Sequence, residues 1–138
     1  MKRRLSGSDL RFLSRERVVR VASAGRDGRP WAVPVCHAVA NGIIYFGSDR
    51  KGLKIRNITR TGKVGLVADR YRDSWKGLRG VAVTGRADVL TRGPEFDRAV
   101  RLLYRKYRQY ARAAALEPGE SVVVRVRPIR VMSWQFGD

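Results

Sequence analysis

The sequence predicts a mainly β protein, a small antiparallel barrel of six or seven strands with helices at its ends. Three observations carry that reading. Short runs rich in β-branched and aromatic residues ("VVRVASAG", "PWAVPVCHAV", "GIIYFG", "KVGLVADRY", "RGVAVTGRADVLT", "SVVVRV", "IRVMSWQF") are bounded by glycine, proline or asparagine, as strands are. Asn41-Gly42 is a two-residue hairpin turn, which joins antiparallel strands. A short helix follows the third strand and a long one precedes the last two, an order that leaves helices outside a mostly antiparallel sheet.

Taken in order, Ser8-Asp9 before "LRFLSRERVV" reads as a capped helix ending near Glu16 or Arg17. From Val18 the strand signal begins, and "GRDGRP" supplies the turn into a second strand. On that strand Trp31, Val33, Val35, His37 and Val39 share one face, and Ala32, Pro34, Cys36 and Ala38 the other. Both faces are largely apolar, and Cys36 is expected in the core. Pro34 has no amide donor, so its strand lies at an edge or a bulge. Residues 18–47 thus form three successive antiparallel strands.

A helix over about 52–60, ended by Thr61-Gly62, leads to the strand "KVGLVADRY", the polar connection "RDSWKGL" and the long strand "RGVAVTGRADVLT". Gly93-Pro94-Glu95 opens the clearest helix, with proline in the first turn and acids near its positive end. Phe96, Val100, Leu103, Tyr107, Tyr110 and Ala114 make its apolar stripe. Arg98, Arg101, Arg105, Arg108 and Arg112 lie opposite, read as a solvated face. Two strands separated by Arg127-Pro128 close the chain. With 138 residues and no repeat, linker or low-complexity tract, residues 1–138 read as a single domain.

Composition narrows the chemistry. The apolar fraction of 43% supports a packed core despite 30% charged residues. One cysteine excludes an internal disulfide, and with a single histidine the usual nitrogen and sulfur metal sets cannot be assembled, so no metal site is expected. No run approaches the roughly 20 apolar residues of a membrane span, and a reducing, cytoplasmic setting is expected. The net charge of +18 attracts anions: nucleic acid, an acidic membrane surface or a polyanionic small molecule.

One stretch concentrates that charge where it can bind. In "YFGSDRKGLKIRNITR", residues 45–60, a strand breaks at Gly-Ser-Asp-Arg-Lys-Gly and resumes as a basic helix. A helix N-terminus presents unpaired amides and partial positive charge, which suits a phosphate. Ser48 brings a hydroxyl, Gly47 and Gly52 allow close backbone approach, and Arg50, Lys51 and Lys54 bring charge. No paired carboxylates and no nucleophile–base pair stand out. Cys36 and His37, adjacent on a strand, point to opposite faces. His37 reads as a satisfied buried histidine, and catalytic side chains remain unassigned.

The segments "RVASAGRDGRPWAVPV", "IYFGSDRKGLKIRNITRTGKVGLVAD", "YRDSWKGLRGVAVTGRADVL" and "RVRPIRVMSW", in this order and spacing, resemble the pyridoxamine 5'-phosphate oxidase-like family. The likeness covers about residues 10–136. It implies an FMN-binding split β-barrel, a homodimer, and FMN or the deazaflavin coenzyme F420 in a groove between subunits. It implies that the "KIRNI" run puts the cofactor phosphate on Lys54, with Ser48 in the preceding loop, and that the ring lies along the backbone of Val33, Pro34 and Val35. Trp75 and Arg79, in the connection before the long strand, have two readings: groups that cover a neighbouring subunit's cofactor, or interface packing. Val33 stands where pyridoxamine phosphate oxidases proper carry arginine, and their C-terminal substrate-binding segment is not matched, which argues against vitamin B6 oxidation. "DRYRDSWKGLRGVAVTG" looks more like the short subgroup many of whose members use F420, whose phosphate and acidic oligoglutamate tail suit a basic surface.

The resulting expectation is a flavin- or deazaflavin-dependent oxidoreductase passing hydride to or from a small organic substrate. In such enzymes the ring carries the chemistry, so a conspicuous acid or base is not required. Two other readings use the same features. One is a barrel that binds single-stranded nucleic acid through Trp31, Tyr45, Phe46 and its arginines, although these aromatics fall on predicted core positions. The other is a non-catalytic flavin carrier or sensor.

Overall fold

In a computed structural model describing residues 1–137, helix α1 (Gly7–Arg15) precedes strands β1 (Val19–Ala24), β2 (Pro30–Val35), β3 (His37–Ala40) and β4 (Ile43–Asp49). Helix α2 (Leu53–Thr61) and strands β5 (Lys63–Arg70) and β6 (Arg79–Leu90) follow. Helices α3 (Pro94–Lys106) and α4 (Tyr110–Ala113) then precede β7 (Ser121–Gln135). The seven strands form one antiparallel sheet in the order β2-β1-β5-β6-β7-β4-β3. Its two edges, β2 and β3, are separated in sequence by Cys36 alone, so the sheet curls until one chain segment serves both edges. The mainly β, split-barrel expectation holds.

Inside the curl, Val19, Val21, Ile44, Phe46, Val124, Val126 and Val131 are almost wholly buried, alternating along their strands as a half-buried pleat requires. Ile55 and Ile58 of α2 close one side of this core, and Phe12 and Leu13 of α1 join it. A second packing layer, Phe96, Ala99, Leu103 and Tyr107, seats α3 on β3, β4 and β7. Asn41 and Gly42 have φ of 53° and 76°, the paired left-handed conformation of the hairpin turn read from the sequence.

Several local expectations are corrected. The cap of α1 is Ser6, not Ser8: its hydroxyl accepts from the Asp9 amide and the Asp9 carboxylate accepts from the Ser6 amide, a reciprocal capping box. The predicted second strand is two strands, broken at Cys36, whose side chain is exposed rather than in the core. Tyr107 explains the break. Its hydroxyl accepts from the His37 amide at 2.9 Å and lies 2.7 and 2.9 Å from the carbonyls of His37 and Arg17, replacing a neighbouring strand at this edge. Holding Tyr107 there also ends α3, so the predicted long helix is divided at residues 107–109.

The last two predicted strands are one, because Pro128 sits at a register shift opposite Thr84/Gly85 and the ladder continues past it. A Cβ on Gly85 would lie 2.6 Å from Val126 Cγ1 and 2.9 Å from the Arg127 carbonyl, so only glycine fits opposite this bulge.

Candidate functional site

The site begins with how α2 starts. Whereas α1 has its capping box, α2 starts at Gly52 with no side-chain cap and no acid in its first turn. The Ile55 and Arg56 amides both reach the Gly52 carbonyl, which leaves the Leu53 and Lys54 amides as open donors at the positive end of the helix. The preceding loop is firmly tied: the Lys51 amide donates to Asp49 Oδ1 at 2.8 Å, the Gly52 amide to the Asp49 carbonyl at 3.2 Å, and the Arg50 amide to the Glu120 carbonyl at 3.1 Å.

Two residues named from the sequence meet at this point. A Cβ built on Gly52 would lie 3.6 Å from Ser48 Oγ and 3.9 Å from Lys54 Nζ, so hydroxyl and ammonium flank the mouth of the helix. Ser48 is buried and donates to the Asp49 carbonyl at 3.0 Å. The Lys54 ammonium is half-buried; burial pulls its pKa below the ordinary lysine value while the Asp49 carboxylate acts in the opposite sense. A cation held partly out of water, with no carboxylate paired to it within 4 Å, gains more from an incoming anion than an exposed one does.

Beside the mouth lies a cavity of about 710 Å³ walled by Arg26, Arg50, Arg56 and Arg60, with Asn57 and Thr59. No acid lines it. Arg26 and Asn57 were missed by sequence reasoning. Arg26 arrives from the β1–β2 turn, a contact only tertiary structure makes, and Asn57 reads as an ordinary helix residue until its buried amide is seen donating to Ser23 Oγ at 3.1 Å. Arg60 donates to the Ala24 carbonyl at 2.5 Å, fixing α2 against the same turn.

The other sequence candidates lie elsewhere. Val33, Pro34 and Val35 pair with Val21, Arg20 and Val19, on a strand whose other side is open. Val35 is in the core and Val33 packs against it, so these two valines offer a ligand their backbone rather than their side chains. Pro34 is exposed, on the edge strand where a missing amide costs no ladder bond.

Trp75, exposed and at φ 60°, stacks edge-on against Phe136 with centroids 5.9 Å apart in the β5–β6 connection. Arg79 donates to Ser8 Oγ at 2.5 Å and lies over the Phe12 ring. Neither lines the α2 cavity of its own chain. His37 is wholly buried, its Nε2 2.7 Å from the Leu13 carbonyl. Burial and the nearby Lys106 ammonium push its pKa down to about 4. Among the described residues no cluster of metal-ligating side chains forms, and no helix is long and apolar enough to cross a membrane.

Solved structures with this architecture are numerous. An FAD-binding protein from Mesorhizobium loti is 24% identical with a TM-score of 0.72, covering 98% of each chain. HutZ, a heme storage protein from Vibrio cholerae, is 12% identical with a TM-score of 0.78, covering 97% of each chain. An F420 reductase is 22% identical with a TM-score of 0.67, covering 87% of this chain and 92% of its own. At these identities the likeness is one of fold. No curated protein matches the sequence. The family described as pyridoxamine 5'-phosphate oxidase matches residues 9–135, nearly the whole chain. With its seven-stranded split barrel, this chain belongs to the pyridoxamine 5'-phosphate oxidase-like family.

Proposed function

We propose that this protein is a flavin- or deazaflavin-dependent oxidoreductase that holds the phosphate of FMN or coenzyme F420 at the start of α2. The observation that carries the reading is the convergence of Ser48 Oγ, Lys54 Nζ and two open amides on Gly52. These suit a phosphate dianion: oriented amides and an ammonium donate to it, and the Ser48 hydroxyl does so by turning from the Asp49 carbonyl. Arg50 and Lys51 add charge at the loop, and the backbone of Val33, Pro34 and Val35 offers an open strand edge to a planar ring. When bound, the ring supplies hydride transfer to or from a small organic substrate, and the protein supplies position and electrostatics.

The arginine-walled cavity favours the more highly charged of the two cofactors. A monophosphate is satisfied at Gly52, yet Arg26, Arg50 and Arg56 line 710 Å³ beside it with no carboxylate among them. An acidic oligoglutamate tail such as that of F420 matches this surplus.

A second copy of the chain completes the site in this reading. The outer face of the sheet carries an apolar hollow of about 360 Å³ lined by Ala22, Ala32, Val67, Ala82 and Met132. Exposed Ile129 adjoins it, and together they form an apolar surface of the kind that marks an interface. A copy docked there covers the open edge β2, and its Trp75 and Arg79 are the groups proposed to cover the cofactor. Heme fits less well than a flavin, because the chain's only histidine is buried with Nε2 committed to Leu13.

Titrating the purified protein with FMN and with F420, followed by absorption and fluorescence, tests the proposal. Saturable micromolar binding of either supports it. Binding of neither removes it, and binding without redox turnover of candidate acceptors leaves a carrier rather than an enzyme.

A further inference from the structure

A second basic surface lies apart from the proposed cofactor site. Arg98, Arg101 and Arg105 are exposed on α3 and, with Asn41 of the β3–β4 turn and Tyr45, wall a cavity of about 320 Å³. It shares no residue with the cavity at α2, and α3 packs on β3, β4 and β7 whereas α2 packs on β1 and β6. Past the end of α3, Arg108 and Arg112 are exposed as well.

A solvated helix face ordinarily mixes signs along its whole length and gains from pairs three or four residues apart. On α3 the acids, Glu95 and Asp97, stand only in the first turn, and beyond them the face carries one sign. From Arg98 to Leu116 the sequence contains no acid, and among the described residues none of these five arginines is in an ion pair or a side-chain hydrogen bond. The two nearest helix acids are Glu95 and Asp97, and Glu95 is engaged by Arg125 and the Tyr45 hydroxyl. Arg98 and Arg101, and Arg101 and Arg105, are therefore like-charge neighbours at spacings of three and four, an arrangement that costs stability and that Asp97 offsets only at the N-terminal end, so an added anion relieves it.

From this geometry we infer that the α3 arginine row binds the phosphodiester backbone of double-stranded nucleic acid without sequence preference. A row that advances about 10 Å from Arg98 to Arg105 matches a repeating polyanion better than one small anion. An acidic membrane is the weaker partner, because no large apolar side chain between Pro94 and Leu116 is exposed to enter the lipid. Single strands are weaker too, because Tyr104 and Tyr110 pack against each other and Tyr107 is buried, leaving no exposed stacking platform.

The test is fluorescence anisotropy with a short labelled DNA duplex of random sequence over a range of salt concentrations. It compares the full-length protein, a triple variant Arg98→Gln, Arg101→Gln, Arg105→Gln, and a charge-matched control, Arg4→Gln, Arg11→Gln, Arg127→Gln. Exposed arginine-to-glutamine changes keep the fold, which circular dichroism and the melting temperature verify. The α3 variant is expected to bind about tenfold or more weakly at low salt, with a log–log salt slope shallower by roughly 2 to 3, while the control stays near wild type. Equal losses in both variants would show a diffuse field and overturn the inference. So would an absence of duplex binding by the unmodified protein, or tighter binding to phosphatidylserine vesicles that the α3 variant abolishes.

Discussion

Ser48 Oγ and Lys54 Nζ lie 3.6 and 3.9 Å from the point where a Cβ on Gly52 would stand, one on the strand side and one on the helix side of the same opening. The φ of Gly52 is −61°, so any residue adopts its backbone, and a methyl there makes only ordinary contacts. Gly52→Ala is expected to fold normally and bind cofactor less tightly, by filling the opening. Lys54→Ala is expected to lose roughly 1.5 to 3 kcal/mol of cofactor affinity, a charged hydrogen bond. Isothermal titration beside thermal melting separates the two effects, and unchanged affinity in both variants would place the phosphate elsewhere.

Ala82 and Met132 are register partners on β6 and β7 and both line the apolar hollow on the outside of the sheet. Placing a charge there should prevent a second copy from docking without touching the core. In light scattering the unmodified protein is expected to run as a dimer and Ala82→Arg as a monomer that has lost cofactor binding. A dimer that persists would move the interface to another face.

His37 makes stability fall in mild acid. Burial, reinforced by Lys106, lowers its folded pKa to about 4 from an ordinary 6.5, so between those values the unfolded chain binds a proton that the folded chain refuses. Its contribution is fully present above pH 6.5 and is lost as pH falls toward 4, with a slope of at most about 1.4 kcal/mol per pH unit. Urea denaturation at intervals across this window checks the slope. It is a clean assay because the chain has one histidine. A flat profile from pH 6.5 to 5 would contradict the burial of that ring.

Asp9 has the same sign in a lower window. Burial raises its pKa, but the Lys2 ammonium at 2.8 Å, the Ser6 amide, Ser133 and the Ser6 hydroxyl outweigh it and bring the carboxyl down to about 2. Its contribution is complete above about pH 4 and disappears toward pH 2. Asp9→Asn is expected to cost about 2 kcal/mol at neutral pH, with the difference from wild type shrinking as pH falls through that range. Chemical denaturation at neutral pH and near pH 3 measures both.

What the sequence made legible was whatever local chemistry determines. Asn41-Gly42 announces its own turn, and Gly62, at φ 68°, ends α2 where the sequence said it would. The loop from Ser48 to Lys54 stood out because the residues proposed as an anion seat are nearly contiguous in sequence. Features fixed by distant partners were not. Nothing near Cys36 shows that Tyr107, 70 residues after His37, will hold that residue and divide the strand. Nothing in "RVRPIRV" shows that Gly85 on β6 will leave room for the ladder to pass Pro128. Arg26 joined the basic cavity for the same reason, through the fold of the β1–β2 turn against α2.

The central claim, that the start of α2 holds a cofactor phosphate, is tested most directly by a two-by-two comparison. FMN and riboflavin, which differ by the phosphate alone, are each titrated into wild type and Lys54→Ala, with F420 and its phosphate-free deazaflavin core as a parallel pair. The account predicts that wild type prefers the phosphorylated member of at least one pair by tenfold or more, and that Lys54→Ala removes most of that preference while binding the phosphate-free member as before. Equal affinity of wild type for both members of each pair, or a preference that survives in Lys54→Ala, would contradict it.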